Sequence, residues 1–102
     1  RARIGALLRI KPFVEVRNGR VLDLGKTRTR RKGIAQLQQL LKGLGEWERL
    51  VILHTNADDE ANAFAKSVAG RHADDVPITN VTTVIGTHIG PNALGFAVIL
   101  KA

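Results

Sequence analysis

The sequence contains no cysteine, which excludes disulfides and thiolate metal sites and leaves the redox compartment open. Aromatic residues make up only 4% of its 102 positions, so no stacking platform for single-stranded nucleic acid is evident. No apolar run approaches the roughly 18 residues needed to cross a bilayer. The longest stretches, 50–53 and 96–100, read instead as buried strands. Ser67 is the only serine and stands away from any histidine in sequence, which argues against a Ser–His–Asp nucleophile. His54 and His72 lack ligand partners at a metal-binding spacing, and Gly43 and Gly45 end a helical pattern rather than opening one after a strand. Neither a metal site nor a nucleotide loop is therefore read. The first residue is Arg1 rather than Met, and residues 1–10 scatter three arginines through the apolar positions, unlike a secretory signal. Residues upstream of Arg1 are expected.

What is present is an ordinary globular composition, 44% hydrophobic and 25% charged, in a length that fits one domain over residues 1–102. The charge is uneven. Residues 1–33 hold eleven Lys and Arg against Glu15 and Asp23, whereas 34–102 hold five against seven acids. Such a bias suits an anionic partner or a solvated basic face. A basic nucleic-acid-binding module is the alternative reading that charge alone supports, but no DNA-reading motif accompanies it.

Ile4, Leu7 and Leu8 stand at i, i+3 and i+4, which predicts the closing turns of a helix stopped by Pro12. Residues 13–16 and 21–24 flank Arg17-Asn18-Gly19-Arg20, and Asn-Gly between apolar runs predicts a hairpin with a type I′ turn. Ile34, Leu37, Leu40, Leu41 and Leu44 form a helical stripe. Residues 50–53, apolar at every position, predict a strand inside a covered sheet. A second helix follows, with Ala61, Phe64, Ala65 and Val68 inward, Asn56 or Asp58 as cap, and Asp58, Asp59 and Glu60 suiting its dipole. Residues 77–85 read as a strand, 86–95 as a glycine-punctuated loop, and 95–100 as the last strand. The order β-hairpin, α, β, α, β, β predicts a two-layer α/β sandwich with a mixed, largely antiparallel sheet.

Two clusters carry chemistry. Residues 26–32 gather Arg28, Arg30 and Arg31 with two lysines where the first long helix begins, with Thr27 or Thr29 as its cap. Cations there oppose the helix dipole, which an anion at the helix N-terminus or solvation of the long side chains would explain. Residues 86–95 place Thr87 and His88 among three glycines and a proline, a shaped loop offering a hydroxyl and an imidazole to a carboxylate.

Three segments, Ile10-Lys11-Pro12-Phe13-Val14-Glu15-Val16-Arg17-Asn18-Gly19, Lys26-Thr27-Arg28-Thr29-Arg30 and Gly86-Thr87-His88-Ile89-Gly90-Pro91-Asn92-Ala93-Leu94-Gly95, in this order and spacing, resemble the C-terminal half of the DegV family. Asn92 stands where that family is expected to have Gly, and Phe13 where a small aliphatic is expected. The resemblance implies a cytoplasmic bacterial protein of two domains, with no catalysis and no cofactor of its own, that binds one long-chain fatty acid. It places the carboxylate between the domains and the tail in an apolar tunnel. Some members present that carboxylate to the ATP-using subunit of a fatty acid kinase. The carboxylate is met by Ser and Thr side chains of the N-terminal domain and by the histidine of the glycine-rich motif. Of these only His88, with Thr87 beside it, can be carried over. Arg28, Arg30 and Arg31 are then expected to dock the kinase partner or to contact the anion.

Overall fold

The computed structural model describes residues 2–82 and 90–102. Its elements are β1 (Arg3–Leu8), β2 (Pro12–Arg17), β3 (Arg20–Lys26), α1 (Arg30–Gly43), β4 (Trp47–His54), α2 (Asp58–Ala69), a 3-10 helix (Gly70–Asp75), β5 (Ile78–Asn80) and β6 (Leu94–Leu100). The strands form one six-stranded sheet in the order β3-β2-β1-β6-β4-β5. Every pairing is antiparallel except β4 with β5, which α2 connects as a crossover. The expected mixed, largely antiparallel α/β architecture is present.

The hairpin forms because Asn18 and Gly19 take φ of 51° and 86°, the left-handed values a type I′ turn demands. Asn18 also joins the turn to β1, donating its N–H to the Arg3 carbonyl at 2.8 Å and accepting the Arg3 N–H on Oδ1 at 3.0 Å. Helix α1 starts at Thr29, whose hydroxyl accepts the Lys32 N–H, as expected of one of the two threonines. Its Leu37 and Leu41 pack with Ala61, Phe64 and Ala65 of α2 onto one face of the sheet, against Ile4, Leu8, Phe13, Ile52, Leu94 and Phe96. Phe64 and Phe96 stack across that layer with ring centres 6.5 Å apart.

Four expectations need correction. Residues 3–8 are a strand, not the end of a helix: Ile4, Ala6 and Leu8 alternate into the core, while Leu7 belongs to the opposite face. Neither Asn56 nor Asp58 caps α2. The N-cap position is Ala57, whose N–H donates to Nδ1 of buried His54 at 3.0 Å, and Asn56, at φ 52°, turns its amide toward Asn80. Of the strand expected over 77–85, Ile78–Asn80 pairs with β4 and the Asn80 carboxamide then accepts the Thr82 N–H and turns the chain, while residues 83–85 lie outside the described residues. The sheet, finally, is covered on one side. Among the described residues no element lies over the face bearing Leu7, Val14, Val51, Leu53, Ala97 and Ile99, which stay half-buried.

Candidate functional site

Thr87 and His88 lie outside the described residues. Described on their C-terminal side is the stem of the loop, Gly90 to Ala93, and it is held from one place. Thr55, directly after β4 and 1% exposed, donates its hydroxyl to the Gly90 carbonyl at 2.7 Å and accepts the Ala93 N–H at 2.8 Å. Its own N–H donates to the Ala93 carbonyl at 3.0 Å, and its carbonyl accepts the Asn92 N–H at 2.7 Å. Gly90 and Asn92 both take left-handed backbone angles, φ 86° and 62°. Asn tolerates that region better than other side chains, which accounts for its standing where Gly was expected.

His54, beside Thr55, is fully used by the fold. Its Nδ1 serves the Ala57 N–H, and its Nε2 lies 3.2 Å from Asp58 Oδ1. An acceptor at Nδ1 and a donor at Nε2 together fix one tautomer and tie the end of β4 to the start of α2. Among the described residues no group of three or more His, Asp and Glu could hold a metal ion.

The basic cluster separates into parts. Arg30 crosses to α2 and meets Glu60 with both arms of its fork, Nε to Oε2 at 3.1 Å and Nη2 to Oε1 at 2.8 Å. This pair explains one cation at a helix N-terminus without an external anion: the arginine neutralises an acid that the other helix start favours. Arg28 and Arg31 stay exposed, and Thr27 is buried with its hydroxyl donating toward the Lys11 and Thr29 carbonyls at 3.1 Å each. The three arginines expected to act together are thus two exposed cations and one structural one.

The uncovered sheet face holds a groove of about 850 Å³ lined by Val16, Trp47, Ala97 and Ile99, with Arg3 and Arg49 also in its wall. It occupies the end of β6 and β1 opposite the loop stem, so the open face runs between the two. Sequence reasoning missed Thr55, whose partners lie 35 and 38 positions away, and nothing around Thr55 in the sequence signals them.

A family model described as "Uncharacterised protein, DegV family" matches residues 1–101. A DegV domain-containing protein of Streptomyces coelicolor is 34% identical over 101 residues, covering 95% of this chain and 36% of the relative. Protein DegV of Bacillus subtilis is 33% identical over 105 residues, covering 96% of this chain and 36% of the relative. The chain therefore spans about a third of the length of these curated relatives. Among solved structures, a fatty acid binding DegV family protein from Streptococcus agalactiae superposes with a TM-score of 0.78 at 22% identity, over 99% of this chain and 45% of that one. A DegV family protein from Eubacterium eligens, loaded with heptadecanoic acid, superposes with a TM-score of 0.68 at 15% identity, over 98% of this chain and 46% of that one. At such identities the likeness establishes the shared fold.

Proposed function

The chain belongs to the DegV family, and on that premise we propose that it forms the C-terminal domain of a fatty-acid-binding protein in the bacterial cytoplasm. The observation that carries the reading is the pairing of a loop stem clamped by Thr55 with an apolar sheet face that no described element covers. An amphiphile with an anionic head and an apolar tail suits those two features. His88 donates to the carboxylate, Thr87 supports it, and the tail lies on the half-buried face that carries Val51, Leu53 and Ala97. Burial of a tail needs a second wall, which an N-terminal domain of the longer protein supplies together with further hydroxyl donors to the head. The protein performs no chemistry itself. It presents the carboxylate to a separate ATP-using kinase subunit, where the carboxylate oxygen takes the terminal phosphoryl group and ADP leaves, and Arg28 and Arg31 dock that subunit. Mass spectrometry of lipid released from the purified longer protein tests the reading. One long-chain fatty acid per protein is expected, and a protein free of lipid that also fails to take up palmitate refutes it.

A further inference from the structure

Strand β3 closes one end of the sheet, and all of its residues are exposed. An edge of this kind normally carries polar side chains, because its unpaired peptide groups are open to any other strand. Here Val21, Leu22 and Leu24 are 69%, 45% and 48% exposed, and Val16, the cross-strand neighbour of Val21, is exposed as well. The apolar side chains lie on both faces. Leu22 pairs with buried Glu15 and shares its helix-covered side, whereas Val21 pairs with Val16 on the open side. The two-residue turn makes Arg17 and Arg20 the first mutually bonded pair, so Glu15 with Leu22 is the next. Val21 and Asp23 therefore turn their N–H and C=O groups away from β2, beyond the sheet. Past them the edge is blunted: the Asp23 carboxylate accepts the Gly25 N–H at 2.8 Å, Gly25 takes φ 87°, and the register shifts. The charges at this edge select what fits it. Arg20 and Lys26 stand exposed at the two ends of β3, and among the described residues neither pairs with an acid. Two antiparallel copies of β3 centred on Asp23 would set Arg20 against Lys26 and Asp23 against itself, and centred on Leu22 they would leave Arg20 facing Leu24. A lipid surface would take side chains from one face of the strand and leave its outward peptide groups unpaired. We infer that β3 is a docking edge for an acidic, extended segment of a partner protein, added as a further strand: its backbone bonds to Val21 and Asp23, its apolar side chains cover Val21 and Leu22, and its acids meet Arg20 and Lys26. This assignment does not depend on the fatty-acid reading.

The test uses the longer protein and a synthetic peptide with paired acids at each end and a short β-branched run between them, followed by calorimetry and amide hydrogen exchange. In the free protein the amides of Val21 and Asp23 should exchange readily, while those of Arg20 and Leu22 are protected by β2. Saturating peptide should slow Val21 and Asp23 by about ten-fold or more. A peptide with lysines in place of the acids should bind about ten-fold more weakly, and one with a proline in the middle of the run should not bind. Val21→Pro removes one outward donor and spares the pairing with β2, so it should abolish peptide binding and leave the unfolding midpoint nearly unchanged. If that variant fails to fold, Val21→Glu changes a side chain already in solvent and should weaken the acidic peptide by about ten-fold through like charge. Protection of Val21 and Asp23 in the peptide-free protein overturns the proposal, because the edge is then covered by the protein's own chain or by a second copy. Equal binding of the acidic and basic peptides overturns it too. So does binding to phosphatidylglycerol vesicles when the peptide leaves exchange at Val21 and Asp23 unchanged.

Discussion

Gly33 sits where α1 passes over Leu8 of β1. A Cβ there would lie 2.7 Å from both terminal methyls of Leu8 and 3.0 Å from the Thr27 hydroxyl. Leu8 is fully buried, so its methyls have little room to shift, and the helix-propensity gain of about 1 kcal/mol from an alanine is outweighed by overpacking of roughly 1–3 kcal/mol. Gly33→Ala should therefore lower the urea midpoint of unfolding, and a raised midpoint would show that Leu8 yields. The reading of His88 is tested with a different pair of measurements. His88→Ala in the longer protein should weaken palmitate binding by about 1.5–3 kcal/mol, the worth of a charge-assisted hydrogen bond, and should hardly alter hexadecanol binding. Calorimetry that finds the acid bound equally by both proteins would reduce His88 to a turn residue.

The start of α1 shows how three neighbouring arginines take different roles. Arg30 belongs to the packing of α1 on α2, and its pair with Glu60 is partly exposed, at 24% and 38% for the two side chains. A double-mutant cycle of Arg30→Ala with Glu60→Ala should give a coupling of about 0.5–1 kcal/mol, since solvent screens a pair so open. Arg28→Glu with Arg31→Glu should leave the unfolding midpoint nearly unchanged and lower phosphorylation of bound fatty acid by the kinase, and full activity in that double variant would rule out their docking role. The helix itself was legible in the sequence, because its apolar stripe and the Thr29 cap are local signals. The hairpin was legible for the same reason: Asn18-Gly19 carries its backbone requirement in two adjacent residues. Strand β1 was hidden, since Ile4, Leu7 and Leu8 imitate a helical stripe until the sheet assigns Leu7 to the other face. The Arg30 ion pair was hidden too, its partner being 30 positions away on another helix.

The molecule as described is a sheet with one apolar face packed by helices and one left open, and that asymmetry predicts how it behaves alone. Calorimetry with palmitate on residues 1–102 should show weak or no binding, and on the longer protein tight binding that changes little with ionic strength. Equal affinity would mean that the open face needs no second wall, and a steep salt dependence would favour an electrostatic partner instead. The strand order could not be read from the sequence, because the pairings that set it join distant segments whose apolar patterns fit several neighbours equally well. One of those pairings governs how the chain must be made. The ladder at the middle of the sheet matches Arg3 with Ile99 and Leu8 with Leu94, so β1 emerges from the ribosome long before the strand that completes it. Until β6 arrives, β1 and the β2–β3 hairpin have no hydrogen-bonded link to β4 and β5, and Ile4, Ala6 and Leu8 wait with an unfilled edge beside them. Closing so long a loop makes folding slow compared with a helical domain of this size, and from the emergence of β1 until that of β6 the nascent segment carries an unfilled edge suited to a chaperone.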